Sequence, residues 1–500
     1  MKNFDFPVYS VEIICEGENT DAYVRIQQKD NEATVYLTAR NSKPCFVKLH
    51  WAFESPDDVL VLGDTWERSY TDLGFLPLAE NDRALPWYFI AVQGTMQTCF
   101  GVKTQPAAFV SFRYDTQGLT ALLDCRNGGS GVHLCGRTVK LADFVLRRYE
   151  GCDTFDALCD YCKTLCTSSR LPKETVYGGN NWYYAYGESS RAQILSDAAL
   201  QAELASGIDN APFMVIDDGW QLNRCAGPWL PNEKFGDMAS LVREFQLRGV
   251  RPGIWFRPLY TEDPTIPDSM KILRDGKRKY LDPTVPQVQS LIREDIARIK
   301  EWGFELLKFD FVTVDMFDSY GKDLTDTITN VTEWHFADRS KTSAEITLDF
   351  YRLIREQAGD LLLIGCNTVS HICAGLVELN RIGDDTSGKD WARTRDYGVN
   401  TLAFRLAQNG VFYLADADCV GILDDCIPWE KNRQWLDLLA NSGTPLFVSV
   451  GKATQEQKTD LCAAYRNAQQ KHAARPLDWM KTRTPEQWLI DGEEKRYCWN

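Results

Sequence analysis

The sequence predicts a multidomain protein with an N-terminal β-sandwich, a central (β/α)8 TIM barrel and a short C-terminal β-containing segment. Eight short apolar stretches separated by helical patterns predict the barrel. Short alternating segments with turn residues between them predict the sandwich. We expect the sandwich over residues 1–172, the barrel over 173–455, and a helix with a β-hairpin over 456–500.

The N-terminal strands are predicted from alternation, because a half-buried strand places successive side chains on opposite faces. Apolar and polar residues alternate over 22–26, 34–38, 46–50 and 87–92. A helix is predicted near 153–167, and the pair Leu171-Pro172 marks the boundary with the barrel.

The eight barrel strands are predicted at short apolar runs that give way to polar sequence. In chain order they are 176–182, 212–216, 251–256, 306–310, 361–366, 376–382, 411–414 and 445–450. The active site of such a barrel lies at the C-terminal ends of its strands. Polar residues that follow a strand are therefore candidates for chemistry.

Two adjacent carboxylates, Asp217 and Asp218, end strand two and are followed by Gly219-Trp220. Neighbouring carboxylates repel one another, so they stay together where something binds them. A polyhydroxy ligand suits them, because an ionised carboxylate accepts hydrogen bonds from neighbouring hydroxyls. The alternative interpretation is a solvated turn or a helix N-cap.

Further carboxylates end strands four and six. Lys308 and Asp310 should point to the same side of strand four, where the ammonium would keep Asp310 ionised, as a nucleophile requires. Strand six ends in Asp384-Asp385, and one of these would have to hold a proton near neutral pH. A lone Asp at a strand end is a helix cap about as often as a catalyst. Carboxylates at the ends of strands two, four and six together favour a catalytic site over three separate helix caps.

Composition narrows the class of partner. The chain has 500 residues, a net charge of −15 and a pI of about 5.0, which argues against nucleic acid or an anionic membrane as partner. The N-terminus lacks a signal-peptide pattern, so we expect a cytoplasmic protein whose sixteen cysteines are free thiols. The one tight cysteine cluster, at 152–166, has no histidine or second cysteine pair nearby, so no metal site is expected.

Four segments, in order along the chain, resemble motifs of glycoside hydrolase family 36, the bacterial α-galactosidases and their plant raffinose-synthase relatives. Residues 217–220 (Asp-Asp-Gly-Trp) look like the family's sugar-binding segment, and 253–258 (Gly-Ile-Trp-Phe-Arg-Pro) resemble its strand-three segment. Residues 308–310 (Lys-Phe-Asp) are similar to the segment that carries the nucleophile, and 383–386 (Gly-Asp-Asp-Thr) resemble the segment that carries the acid/base. The resemblance covers the whole barrel and extends more loosely to the N-terminal β domain.

The resemblance implies a retaining, exo-acting double displacement on a terminal α-linked galactose. Asp310 would attack the anomeric carbon, while Asp384 would protonate the leaving oxygen and then activate water. The implied sugar-binding residues are Asp217 and Asp218 for the 4- and 6-hydroxyls, Lys308 for ring hydroxyls, Trp182 and Trp255 as walls, and Cys366 and Asn367 near the 2-position. No cofactor is implied. The expected partner is an oligosaccharide or another α-galactoside, and a homo-oligomer is left open.

The chain departs from the family after strand five, where Cys366 is kept but a glycine run is replaced by Asn-Thr-Val. An α-N-acetylgalactosaminide therefore stays open as a substrate. So do a transglycosidase of the raffinose-synthase type and a sugar-binding barrel without catalysis. A barrel acting on phosphorylated metabolites is disfavoured, because the acidic segment 414–419 would follow strand seven and repel phosphate.

Two further features have alternative interpretations. The polar and aromatic loop 63–70 of the N-terminal domain either leans over the barrel mouth or packs on the barrel surface. Arg393, after strand six, is either a donor in the pocket or a charge on a helix surface. Arg257 stands where the family has a glutamate on strand three, and we expect it to change the charge around the site rather than the chemistry.

Overall fold

The computed structural model describes residues 8–70, 73–321, 325–423 and 426–500. The predicted β-sandwich is confirmed as two antiparallel sheets. In spatial order, the strands of the first sheet are Ser10–Cys15, Pro44–Ala52, Gly118–Asp124, Phe109–Asp115 and Leu85–Pro86. Those of the second are Tyr23–Lys29, Glu32–Thr38, Thr138–Glu150, Met96–Val102, Tyr88–Gln93, Leu60–Gly63 and Leu76–Pro77.

Aromatic side chains join the inner faces of the two sheets. The Phe100 ring lies 5.3 Å from the Trp51 ring and 5.4 Å from the Phe112 ring, centroid to centroid, and all three side chains are buried. Edge-to-face contacts at this spacing are the favoured arrangement of aromatic pairs. The helix Thr154–Leu165 leads out of the sandwich, and its N-cap Asp153 accepts hydrogen bonds from the backbone amides of Phe155 and Asp156.

The predicted barrel is confirmed as a ring of parallel strands. Strands one to six are Tyr177–Asn180, Phe213–Ile216, Arg251–Phe256, Leu306–Phe309, Leu362–Gly365 and Leu379–Arg381, and strand eight is Leu446–Val450. These runs are buried on both faces, as expected of a parallel sheet covered by helices.

Strand seven differs from the prediction of 411–414. Its first half, Leu414–Asp416, pairs with strand six, and after a turn at Asp418 its second half, Cys419–Ile422, pairs with strand eight. This bent segment joins both edges and closes the ring. The acidic segment 414–419 therefore lies within the strand and not in a loop after it. The prediction placed strand seven too early in the chain because Asp416 and Asp418 interrupt the apolar pattern of the observed strand.

Helices surround the ring. In chain order they are Arg191–Leu204, Met238–Leu247, Pro286–Trp302, Ser343–Ala358, Ser370–Cys373, Trp391–Arg393 continuing through Thr394–Val399 to Asn400–Arg405, Trp429–Ala440 and Gln455–Ala468. Short helices Trp182–Ala185 and Val312–Phe317 follow strands one and four directly. Two hairpins extend the loops after strands two and three: Gln221–Asn223 with Ala226–Pro231, and Lys271–Arg274 with Lys277–Leu281. Among the described residues, single-turn 3-10 helices are Leu78–Glu80, Asp268–Met270 and Leu406–Gln408.

The C-terminal region begins with the predicted helix, Gln455–Ala468, which packs against the barrel helices Trp429–Ala440 and Arg191–Leu204. The strands Ala474–Pro476, Gln487–Ile490 and Glu493–Arg496 then form a small sheet. The predicted hairpin at Asp491-Gly492 is confirmed, with both turn residues at positive φ as a tight hairpin turn requires.

The loop 63–70 connects the sandwich to the barrel mouth. The Ser69 amide donates to the carbonyl of Ile382 at 2.7 Å, and the Asp384 amide donates to the carbonyl of Ser69 at 2.9 Å. The loop thereby pairs with the chain that leaves strand six. All sixteen cysteines are unpaired. None of the helices within the described ranges is long and apolar enough to cross a membrane.

Candidate active site

A cavity of about 100 Å³ lies at the C-terminal ends of the barrel strands. Eight of the ten predicted site residues line it: Trp182, Asp217, Asp218, Trp255, Lys308, Asp310, Cys366 and Asn367. Six residues outside that predicted set complete the lining, among them Asp385, the neighbour of the predicted Asp384: Arg68, Tyr183, Cys225, Phe311, Arg381 and Asp385. The other two predicted residues, Asp384 and Arg393, lie beside the cavity and contact each other at 3.1 Å.

Asp217 is bound on both carboxylate oxygens. Its Oδ2 accepts hydrogen bonds from Lys308 Nζ at 2.7 Å and from Asn180 Nδ2 at 2.8 Å, and its Oδ1 accepts from the Asp218 amide at 2.9 Å. Burial alone would lower the pKa of Lys308, but the carboxylates of Asp217 and Asp310 and the Cys366 thiol raise it above its ordinary value. Lys308 therefore stays charged and forms a charge-assisted bond with Asp217.

Asp218 is held by the hairpin that follows strand two. Its Oδ1 accepts from Gln221 Nε2 at 2.6 Å and from the Cys225 amide at 2.8 Å, and the Cys225 thiol lies 2.9 Å from its Oδ2. The chain turns at Gly219, whose φ is 109° and where a Cβ would lie 2.4 Å from the Gly187 carbonyl oxygen. Glycine is required there, which explains why it follows the two carboxylates.

Asp310 is 8% exposed and faces the cavity. Its Oδ2 accepts a hydrogen bond from Trp255 Nε1 at 3.1 Å, and its Oδ1 accepts from the Phe311 amide at 2.7 Å. These donors fix the carboxylate. The expectation that Lys308 serves Asp310 is only partly met, because the direct bond of Lys308 goes to Asp217.

The strand-six carboxylates have different surroundings. Asp384 lies between two arginines, with Arg68 Nη2 2.9 Å from its Oδ1 and Arg393 Nη2 3.1 Å from its Oδ2, and its side chain is 16% exposed. Asp385 contacts Arg381 at 3.2 Å and Arg68 at 3.4 Å, and its side chain is 35% exposed. Since Asp385 lines the cavity and Asp384 does not, Asp385 is the one that faces the same space as Asp310.

Arg381 links strand six to strand seven. Its Nη1 lies 3.0 Å from Asp418 Oδ1, and Asp418 Oδ2 accepts hydrogen bonds from the Tyr183 hydroxyl and from the Thr386 amide. Burial would raise the pKa of Asp385, but Arg68, Arg381 and Lys308 outweigh it and lower the pKa below its ordinary value. The expectation that a strand-six carboxylate holds a proton near neutral pH is therefore not met at Asp385, because three cations surround it.

Residues around the cavity have strained backbone. Four non-glycine residues there have positive φ: 59° at Cys225, 61° at Phe311, 49° at Asn367 and 71° at Asp418. Such conformations cost about 1–3 kcal/mol each and cluster at functional sites. The chain turns sharply where it leaves strands four and five, so the side chains that follow can reach the cavity.

The lining residues that were not predicted are only weakly distinguished in the sequence. Arg381 is a charged residue inside an apolar strand, which is unusual unless it is paired. Arg68 belongs to the loop 63–70, whose composition drew attention but whose partners are distant in sequence. Cys225 and Tyr183 had no signal that distinguishes them from packing residues.

Arg257 and Asp315 form a buried pair beside the cavity. Arg257 Nε and Nη2 donate to the two oxygens of Asp315 at 2.9 and 2.6 Å, and the guanidinium lies 4.3 Å from the Phe311 ring centroid. Burial raises the pKa of Asp315 to about 6, although Arg257 opposes the rise. Arg257 does not line the cavity.

Replacing Arg257 by Met should lower the free energy of unfolding by about 3–5 kcal/mol at neutral pH, because a buried charge is left unpaired. Without Arg257 the pKa of Asp315 rises further above its unfolded value of about 3.9. The loss should therefore be largest above the folded pKa and shrink as the pH falls towards the unfolded pKa. Urea unfolding at pH 5 and pH 8 measures this. The double variant Arg257→Met/Asp315→Leu is the control, and an equal loss at both pH values in the single variant would contradict the account.

Comparison with solved structures gives matches over almost the whole chain. The α-galactosidase TtGalA from Thermus thermophilus, in complex with p-nitrophenyl α-D-galactopyranoside, matches with a TM-score of 0.63 and 18% identity, covering 98% of this chain and 99% of that one. A variant of the GH36 α-galactosidase AgaA from Geobacillus stearothermophilus, in complex with 1-deoxygalactonojirimycin, matches with a TM-score of 0.60 and 14% identity, covering 97% and 79%. The GH36 α-galactosidase AgaB from the same organism gives 0.59 and 13%, covering 94% and 77%.

No protein-family profile and no curated protein matches the sequence. The likeness is therefore one of fold. Both the sandwich and the barrel of this chain share their architecture with these α-galactosidases.

Proposed function

We propose that the chain is a family 36 glycoside hydrolase that removes terminal α-linked galactose with retention of configuration. The observation that carries this proposal is the composition of one cavity. It holds Asp310 and Asp385 as two carboxylates for acid/base and nucleophilic work, together with Asp217 and Asp218 for sugar hydroxyls. The fold shared with the α-galactosidases supports it.

In the proposed first step, Asp310 attacks the anomeric carbon and the glycosidic bond breaks towards the aglycone oxygen. The bonds from Trp255 and from the Phe311 amide hold Asp310 in place for this attack. The acid/base carboxylate gives its proton to the leaving oxygen. In the second step it takes a proton from water, which attacks the same carbon and releases Asp310.

We assign the acid/base role to Asp385 in place of the predicted Asp384. Asp385 lines the cavity and is about a third exposed, whereas Asp384 is bound on both oxygens by Arg68 and Arg393. A proton donor must reach the leaving oxygen from within the cavity. The predicted register is then displaced by one residue.

The sugar proposed for the cavity has the galacto configuration. The carboxylates of Asp217 and Asp218 lie side by side at one end of the strands, and Lys308 binds Asp217 from within the wall. They suit hydroxyls that lie close together, as the axial 4-hydroxyl and the 6-hydroxyl of galactose do. At the other side Arg68 Nη1 lies 3.6 Å from Cys366 Sγ, which limits the room beside Cys366 and favours a 2-hydroxyl over a 2-acetamido group.

An α-glucoside should react at least about tenfold more slowly than the matching α-galactoside. Its equatorial 4-hydroxyl would remove one charge-assisted bond to a buried carboxylate, a loss of about 1.5–3 kcal/mol. Values of kcat/KM for the nitrophenyl α-galactoside, α-glucoside and α-N-acetylgalactosaminide measure this. Asp217→Asn should reduce the preference for galacto over gluco. A rate on the α-glucoside equal to that on the α-galactoside would contradict the sugar assignment, and preference for the acetamido sugar would overturn the 2-hydroxyl assignment.

A further inference from the structure

The segment that brings Arg68 to the cavity is firmly anchored. It belongs to the N-terminal domain, and Ser69 pairs with the chain that leaves strand six through the Ile382 carbonyl and the Asp384 amide. Its Trp66 is 3% exposed and lies edge-to-face against Trp87, with a centroid separation of 4.8 Å. Arg68 is therefore presented from a fixed backbone.

Arg68 itself binds both strand-six carboxylates at once. Its Nη2 lies 2.9 Å from Asp384 Oδ1 and its Nη1 lies 3.4 Å from Asp385 Oδ1. Its side chain is 10% exposed, and the same Nη1 lies 3.6 Å from Cys366 Sγ. A planar guanidinium with several fixed donors suits such a bridging role better than an ammonium.

A hydrogen-bonded group behind Arg68 fixes its orientation. Arg68 Nε donates to the Tyr70 hydroxyl at 3.2 Å, and that hydroxyl donates to Glu67 Oε1 at 2.5 Å. Asn367, which lines the cavity, donates to the Tyr70 hydroxyl at 2.8 Å, and the Gly321 amide donates to Glu67 Oε1 at 2.8 Å. The side-chain plane of Arg68 is thereby set by groups from both domains.

We propose that Arg68 is a positioning residue of the reaction: by binding Asp384 and Asp385 together, it holds the acid/base carboxylate in the cavity wall for proton transfer. This inference rests on the proposed function. It also assigns a role to the N-terminal domain, which supplies a group that acts on the chemistry through Asp385. Asp384 then serves as the anchor of Arg68 and is not a second proton donor.

Arg68 should also affect the pH dependence of the reaction. The charged or titratable groups around Asp385, besides Asp384, are Arg68 from the loop, Arg381 from strand six, Lys308 and Asp310 from strand four, Tyr183 from the first βα connection and Asp418 from strand seven. Arg68, Arg381 and Lys308 lower the pKa of Asp385 against the effect of burial. Removing Arg68 should raise the pKa of Asp385, by about one pH unit or more for an opposite charge at this distance.

The test compares the wild type with Arg68→Met, Arg68→Lys and the exposed control Arg40→Met. For each we would measure kcat/KM against pH on methyl α-galactoside, whose leaving group needs a proton, and on 2,4-dinitrophenyl α-galactoside, whose leaving group does not. The alkaline limb of the first profile reports the acid that must be protonated in the free enzyme. Thermal unfolding of all four proteins checks their folding.

For Arg68→Met we expect the alkaline limb to move to higher pH. On the acid side of the limb, where the acid is protonated in both proteins, kcat/KM should fall at least tenfold on methyl α-galactoside and far less on the dinitrophenyl glycoside. Arg68→Lys keeps a cation and should keep the limb near that of the wild type, and Arg40→Met should match the wild type. If Arg68→Met does not fold, Arg68→Lys provides the test. A pH profile like that of the wild type supports the role of Arg68, and an equal loss on both substrates contradicts it. An unmoved limb with equal losses would overturn the inference. If the wild type turns over no glycoside, the proposed function fails first and the inference falls with it.

Discussion

Replacing Asp310 by Ala is expected to reduce kcat on p-nitrophenyl α-galactoside by at least about a thousandfold, which corresponds to about 4 kcal/mol of activation free energy. The reason is that the proposed retaining reaction passes through a covalent bond to this carboxylate. Steady-state kinetics measure the loss. Exogenous azide should restore turnover and give the β-galactosyl azide, because the small anion attacks where Asp310 would.

Thermal unfolding controls for the fold. Among the described residues, the side chain of Asp310 accepts hydrogen bonds from Trp255 and from the Phe311 amide, so its removal should leave the cooperative unfolding transition in place. Substantial residual activity with unaltered stability would contradict the role of Asp310. The substitution of the exposed Asp209 by Ala is a matched control and should leave both activity and stability unchanged.

The second large effect separates Asp385 from Asp384. Asp385→Ala should slow methyl α-galactoside by about 10²–10⁴-fold, the contribution of a positioned acid. It should slow 2,4-dinitrophenyl α-galactoside far less, because that phenolate leaves unaided. The ratio of kcat/KM on the two substrates measures the effect.

Asp384→Ala is the matched comparison, since the two residues are neighbours with the same side chain. It should show the same leaving-group dependence as Arg68→Met, but with a smaller loss on methyl α-galactoside than Asp385→Ala, because it removes a partner of Arg68 and not the donor itself. If Asp384→Ala shows the larger loss on methyl α-galactoside and Asp385→Ala shows no leaving-group dependence, the predicted register is the correct one and our assignment is wrong.

Much of the fold could be predicted because local patterns specify it. Strands such as Arg251–Phe256 and Leu306–Phe309 are short apolar runs ending in polar residues, and both lie where the sequence placed them. Strand seven could not be predicted in the same way. Its Asp416 and Asp418 are buried, and Asp418 is satisfied by Arg381 and Tyr183, which are distant in sequence.

The candidate site could also be predicted only in part. Carboxylates at strand ends can be read from the chain, and Asp217, Asp218 and Asp310 line one cavity as their positions implied. The choice between Asp384 and Asp385 could not be read, because strand six ends at Arg381 and alternation no longer fixes which side chain faces inward. Arg68 was also out of reach, since its contacts span the boundary between two domains.

The most direct test of the central claim is proton NMR of the hydrolysis of p-nitrophenyl α-galactoside, followed from the first minutes. The double displacement predicts that α-galactose appears first and converts to the β-anomer only by later mutarotation. If β-galactose appears first, water attacks directly, Asp310 is not a nucleophile, and the retaining mechanism proposed for this cavity is contradicted.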